Sequence, residues 1–169
     1  MPELIVVSGG QSGVDRAALD AAAARGVAYA GWCPQGGWAE DLPDAPGVLA
    51  KYPFLRQTPS ADPAQRTEWN VRDSDACLVL LDDSGIATSR GTALAEKLAA
   101  RYGKPLLTID VTMPDAAARA CVWLRDVMRA HERGAPFRLA IGGPRESEAP
   151  GIYAQARALI AALLNEIGA

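Results

Sequence analysis

The stretch that decides the fold is Leu4-Ile5-Val6-Val7-Ser8-Gly9-Gly10-Gln11-Ser12-Gly13-Val14-Asp15, followed by an alanine-rich run to Arg25. Branched apolar residues in unbroken succession predict a strand buried on both faces, which is a property of parallel sheets. The glycines after it let the backbone approach a ligand closely, and the free N–H groups of a helix start attract an anion. The spacing is not GxGxxG and the P-loop lysine is absent, so Walker-type nucleotide hydrolysis is not expected.

Outward from this unit the pattern repeats. Apolar runs suited to buried strands stand at 77–81 (CLVLL), 105–109 (PLLTI) and 137–141 (FRLAI), with a weaker one at 27–31 (VAYAG). Helical periodicity lies between them. Residues 12–25 set Val14, Ala17, Ala18 and Ala21 on one face, and residues 91–102 do the same with Leu94, Leu98 and Tyr102. Residues 115–131 align Ala117, Cys121, Leu124 and Met128. A last helix aligns Ile152, Ala156, Leu159, Ile160, Leu163 and Ile167, with Pro150 expected in its first turn. Alternating strand and helix predicts an α/β, Rossmann-like three-layer sandwich with a mostly parallel sheet of five or more strands. In such a fold ligands collect at the carboxyl ends of the strands. The glycine-bearing segments SGGQSG, SRGT and GGPRES are all expected at that edge.

The segment from Trp32 to Pro63 breaks the pattern. It holds Pro34, Pro43, Pro46, Pro53, Pro59 and Pro63 with little periodicity. Loops this long are commonly functional or mobile, and Trp32, Trp38 and Tyr52 are rings that a solvated loop rarely needs. A helix is predicted from Asp62-Pro63 onward, with only Ala64, Trp69 and Val71 apolar. So polar a helix ahead of a buried strand, carrying Arg66, Glu68, Asn70, Arg72 and Asp73, is expected to face a site or a partner.

The 169 residues suit one domain over 1–169, and a chain this long buries roughly 70% of its unfolded surface without staples. No apolar run approaches the roughly 20 residues of a membrane span. The first apolar run ends in glycines and is read as a strand, not a signal peptide, so cytoplasm is the expected compartment. Lys plus Arg is 17 against 20 for Asp plus Glu, and this acidic balance argues against a nucleic-acid partner. Cys77 and Cys121 read as core residues, which leaves Cys33, in a loop, as the thiol to watch. His131 is the only histidine and closes a helix; a Ser-His-Asp triad or histidine metal site has little to draw on.

Candidate binding residues follow from the three turns. Gly9, Gly10, Gln11, Ser12 and Gly13 would cradle a phosphate. Asp15 is read either as a helix-dipole partner or as a hydrogen-bond acceptor for a sugar or ring. Arg16 is read either as a phosphate ligand or as a partner of Asp20. Arg90, Gly91 and Thr92 open a second helix, where the rival reading is ordinary capping by Ser89 or Thr92. Gly143, Arg145 and Glu146 follow the last strand, with Arg145 offering a bidentate fork to an anion. Trp32 is the candidate stacking ring.

Several segments, SGGQSGVDRAALDAA, GWCPQGG followed by AED, PSADPAQRTEWNVRDSDA, GTALAEK and GGPRESEAPGIY, together resemble the molybdenum cofactor carrier family from Ser8 to the last helix. That family is related to lysine-decarboxylase-like phosphoribohydrolases and to DNA-processing proteins, whose first loop is similar. The resemblance implies a Rossmann-like homo-oligomer that binds molybdenum cofactor (molybdopterin), a phosphorylated pterin, as cargo for storage or transfer, with molybdoenzymes or cofactor-synthesis proteins as partners. It implies no catalytic residue. The alternative is phosphoribohydrolase-like cleavage of a nucleoside monophosphate, with Arg16 or Arg90 on the phosphate and Glu96 or Glu68 as acid. The hydrolases carry PGGxGT followed closely by glutamates, whereas here SRGT precedes Ala93, Leu94 and Ala95 before Glu96.

Overall fold

The computed structural model describes residues 2–83, 89–132 and 134–168. Strand β1 (Leu4–Val7) leads through helix α1 (Val14–Ala24) to β2 (Ala28–Cys33), and two 3-10 turns precede β3 (Leu55–Gln57). Helix α2 (Pro63–Arg72), β4 (Ala76–Leu81), α3 (Arg90–Arg101), β5 (Leu106–Asp110), α4 (Ala116–Arg129), β6 (Phe137–Gly142) and α5 (Ile152–Ile167) complete the order. The strands form one sheet in the order β3-β2-β1-β6-β4-β5, and each neighbouring pair is parallel. This is the expected three-layer α/β architecture.

Period-two alternation on β4 divides the layers. Ala76, Leu78 and Leu80 enter a core with α1, α4 and α5, joined by Phe137, Leu139 and Ile141 of β6. Cys77 and Ala140 point the other way, into a smaller core with Val71 of α2 and Leu98 and Ala99 of α3. The predicted stripe of α1 is fully buried, its alanines allowing the helix to lie close to the sheet and to α5. The stripe of α5 is likewise buried at Ile152, Ala156, Leu159, Ile160 and Leu163. Pro150 lies outside it: Gly151, in the left-handed region at φ 91°, caps a helix that starts at Ile152.

Two expectations change in the proline-rich excursion. Sequence reading missed β3, a three-residue strand whose outer residues Arg56 and Gln57 are exposed and whose apolar signal is Leu55 alone. Nor is Tyr52 a ligand-facing ring. It is 2% exposed, in a third cluster with Leu19, Cys33, Ala39, Val48 and Leu55. Its hydroxyl donates to Asp20 of α1 at 2.6 Å, beside Tyr153 at 2.9 Å and Lys51. The excursion is therefore fastened to α1 and α5. Cys33 is also buried here, and burial pushes its thiol up to about 11, which removes it as a reactive group.

The strand order sets the position of the site. β1, β2 and β3 step outward one way and β4 and β5 the other, while β6 returns to the centre between β1 and β4. The carboxyl ends of β1, β6 and β4 are thus adjacent at the point where direction reverses. Two glycines make that adjacency possible. A Cβ on Gly13, at φ 76°, would lie 2.4 Å from the Pro144 carbonyl, and one on Gly143 would lie 2.2 Å from the Leu80 carbonyl.

Candidate functional site

Above these three strand ends a cleft of about 720 Å³ opens between α2, α3 and the sheet. That lies within the usual span of small-molecule sites, roughly 300–1,000 Å³. Its floor is apolar, including Val7, Cys77, Val79 and Ile141, and its rim is charged by Asp15, Arg66, Arg90, Arg145 and Glu148. Burial pushes the Cys77 thiol up to about 11, as suits a floor residue.

Among the sequence-predicted residues, Gln11, Asp15, Arg90, Gly91, Thr92, Gly143 and Arg145 line this cleft. Gly9, Gly10, Ser12, Gly13, Arg16, Trp32 and Glu146 do not, and the structure gives most of them other work. Ser12 Oγ donates to Glu40 and accepts from the Glu146 amide at 3.1 Å, while Ser147 Oγ donates to Glu40 at 2.5 Å. Glu40 therefore ties the first and third turns together. Burial opposes its charge, but the hydrogen bonds from Ser12 and Ser147 hold its carboxyl below the ordinary value. Gln11 Oε1 accepts from the amides of Ser12 and Glu40 at 3.0 and 2.9 Å.

Arg16 pairs neither with Asp20 nor with the cleft. It makes a bidentate contact with Asp41, 2.9 Å at each oxygen, and also donates to the Gly10 carbonyl. The AED segment thus braces the first turn through Glu40 and Asp41. Glu146 accepts from the amides of Gly151 and Tyr153 and so caps α5. Trp32 sits edge-on to Trp69 at 4.7 Å, donates from Nε1 to Asp73 at 2.8 Å, and has both backbone polar groups bridged by Asn70. It fastens β2 to α2 and is not a stacking platform in the cleft. Trp38 lies instead at a neighbouring hollow, with the Arg145 guanidinium 5.5 Å above its ring.

The turns converge on one rim, as expected, but their amides are not all open. Val14 N–H donates to the Pro144 carbonyl at 3.2 Å, Arg145 N–H to Glu148 at 2.9 Å, and Thr92 N–H to the Ser89 hydroxyl at 3.3 Å. The Gly9 and Gln11 amides are directed at the buried carboxylate of Asp15. Geometrically the Asp15 carboxylate is held by Arg66, beside the turn in which a phosphate was expected. Burial raises the Asp15 carboxyl above its ordinary value, against the pull of Arg66 and those amides.

Arg66 is the site residue that sequence reading did not single out from its helix. Its Nη1 donates to Asp15 Oδ2 at 2.7 Å, with the two side chains 14% and 6% exposed. It reaches the cleft across Gly9, where a Cβ would fall 2.3 Å from that nitrogen. The polarity of α2 was the available signal, and Thr67 and Asn70 on the same helix also line the cleft. The acids of the hydrolytic alternative are placed elsewhere: Glu68 accepts from Tyr102 at 2.6 Å, Glu96 from Thr108, and neither lines the cleft. His131 stacks edge-on to Phe137 at 5.2 Å, just past the end of α4.

The model of the circularly permutated YpsA SLOG family matches residues 6–164. The chain is also similar to a crystal structure from Syntrophus aciditrophicus SB described as a "putative molybdenum carrier protein", with 36% identity, 96% of each chain covered and a TM-score of 0.81. No curated protein matches it. A family model spanning nearly all of the sequence, together with a structural neighbour matched end to end, places this chain in the circularly permutated YpsA SLOG family.

Proposed function

We propose that the cleft binds molybdenum cofactor or a related phosphorylated pterin, and that the protein carries it for storage or transfer. One observation bears most of the weight: Arg90, the first residue of α3, and Arg145, in the turn after β6, both line a cleft large enough for such a guest. Neither arginine has an ion-pair partner among the described residues. Guanidinium groups and helix-start amides favour a phosphate, and the apolar floor favours a flat heterocycle. The description of the Syntrophus aciditrophicus neighbour as a molybdenum carrier supports a molybdenum-bearing cargo. In this reading the carrier works in the cytoplasm as a homo-oligomer and exchanges its cargo with molybdoenzymes or cofactor-synthesis proteins.

The test is to purify the protein from a host that makes the cofactor, then measure molybdenum per chain and the fluorescence of the oxidised pterin. Stoichiometric amounts of both are expected. Their absence, even after incubation with cofactor, refutes the reading.

A further inference from the structure

The two cationic ends of the cleft differ in their counter-charges. Arg90, at the start of α3, has no ion-pair partner among the described residues, whereas Arg66 is neutralised by Asp15 at 2.7 Å. An anion placed against Arg66 would also meet the Asp15 carboxylate, so most of its attraction would cancel. What Arg66 retains is donor geometry. Nη1 is committed to Asp15, and among the described residues no bond occupies Nε or Nη2. These two N–H groups form the side-on fork of the guanidinium. Such a fork matches the lone pairs of an exocyclic oxo group and of a nearby ring nitrogen that carries no hydrogen, as it does O6 and N7 of guanine in DNA.

The lateral spacing fits a two-point grip. Asp15 and Gly9 hold Arg66 over the end of β1, and α3 begins beyond the end of β4. β6 stands between β1 and β4, so the two points lie on different sides of the cleft floor.

We propose that Arg66, positioned by Asp15, grips the uncharged oxo and ring-nitrogen edge of the bound heterocycle, so that the guest lies with its rings over β1 and its phosphate at the start of α3. This assignment rests on the cargo reading above and adds the orientation of the guest and a binding residue for its ring.

The probes are the oxidised, fluorescent pterin of the cofactor with and without its phosphate, titrated by fluorescence polarisation against the native protein and three variants. Arg66→Gln removes the fork. Gly9→Ala keeps the charge but displaces the guanidinium, since the added Cβ meets only the movable end of that side chain. Arg90→Gln weakens the phosphate end. Arg66→Gln and Gly9→Ala are expected to weaken both probes by the same factor, roughly tenfold or more. Arg90→Gln is expected to weaken the phosphorylated probe alone. Should Arg66→Gln fail to fold, Gly9→Ala decides. A loss confined to the phosphorylated probe in Arg66→Gln or Gly9→Ala makes Arg66 a phosphate residue and overturns the orientation. Native affinity in both variants overturns the assignment while the cargo reading stands. Failure of the native protein to bind either probe overturns both.

Discussion

Replacing Tyr52 with Phe removes one hydroxyl and leaves the ring in place. The native hydroxyl donates to Asp20 at 2.6 Å, while Lys51 and Tyr153 supply the other donors. A hydrogen bond to a charged acceptor contributes about 1.5–3 kcal/mol, and the two remaining donors reduce the loss to about 1–2 kcal/mol. For a chain of this length that is about 3–6 °C in Tm. The pH dependence has a definite sign. Burial pushes the Asp20 carboxyl up, but the hydrogen bonds of Tyr52, Lys51 and Tyr153 outweigh it and hold the group below its ordinary 3.8. Stability from a lowered carboxyl is present above the unfolded value and is lost as pH falls through the native one. The gap between native and variant, followed by thermal unfolding under circular dichroism, should therefore be full at pH 7 and narrow below pH about 4. An equal gap at pH 7 and pH 3, or none at pH 7, would refute the view that Asp20 fastens the excursion by its charge.

Gly143→Ala should destabilise by about 3 kcal/mol or more, because its Cβ would meet the Leu80 backbone carbonyl at 2.2 Å and no side chain can yield; urea melts check this. Leu124→Ala, at a fully buried position of α4, is expected to cost about 2–5 kcal/mol in the same assay. Glu40→Ala should lower stability by about 1–2 kcal/mol and loosen the first and third turns together, seen as faster amide exchange in both; protection unchanged at Ser147 would contradict the bridge. Cys33 and Cys77, both buried with thiols pushed up to about 11, should resist a thiol reagent in native buffer and react on unfolding.

The layers were legible because burial imposes period. Unbroken apolar runs marked β1, β4 and β6, and the stripes of α1 and α5 marked which helix faces meet the sheet. β3 escaped notice because three residues with two exposed side chains leave no periodic trace. The position of β6 between β1 and β4 was equally hidden, since local sequence does not state which strands pair across more than a hundred residues. At the site, glycine and arginine pointed to the edge where the cleft opens, but residue type did not reveal the partners. Arg16 has its aspartate in the AED segment, Glu146 caps the next helix, and Asp15 is paired with Arg66. Arg66 was signalled only by the unusual polarity of α2.

The late placement of β6 has a consequence for biosynthesis. As the chain leaves the ribosome, β1–β2–β3 and β4–β5 can each pair, but no strand joins the two halves of the sheet until Phe137–Gly142 emerges between them. The proposed cargo site sits on that seam, so a nascent chain cannot load until nearly all of it has been translated. Any unseamed half leaves a raw strand border open to unwanted pairing.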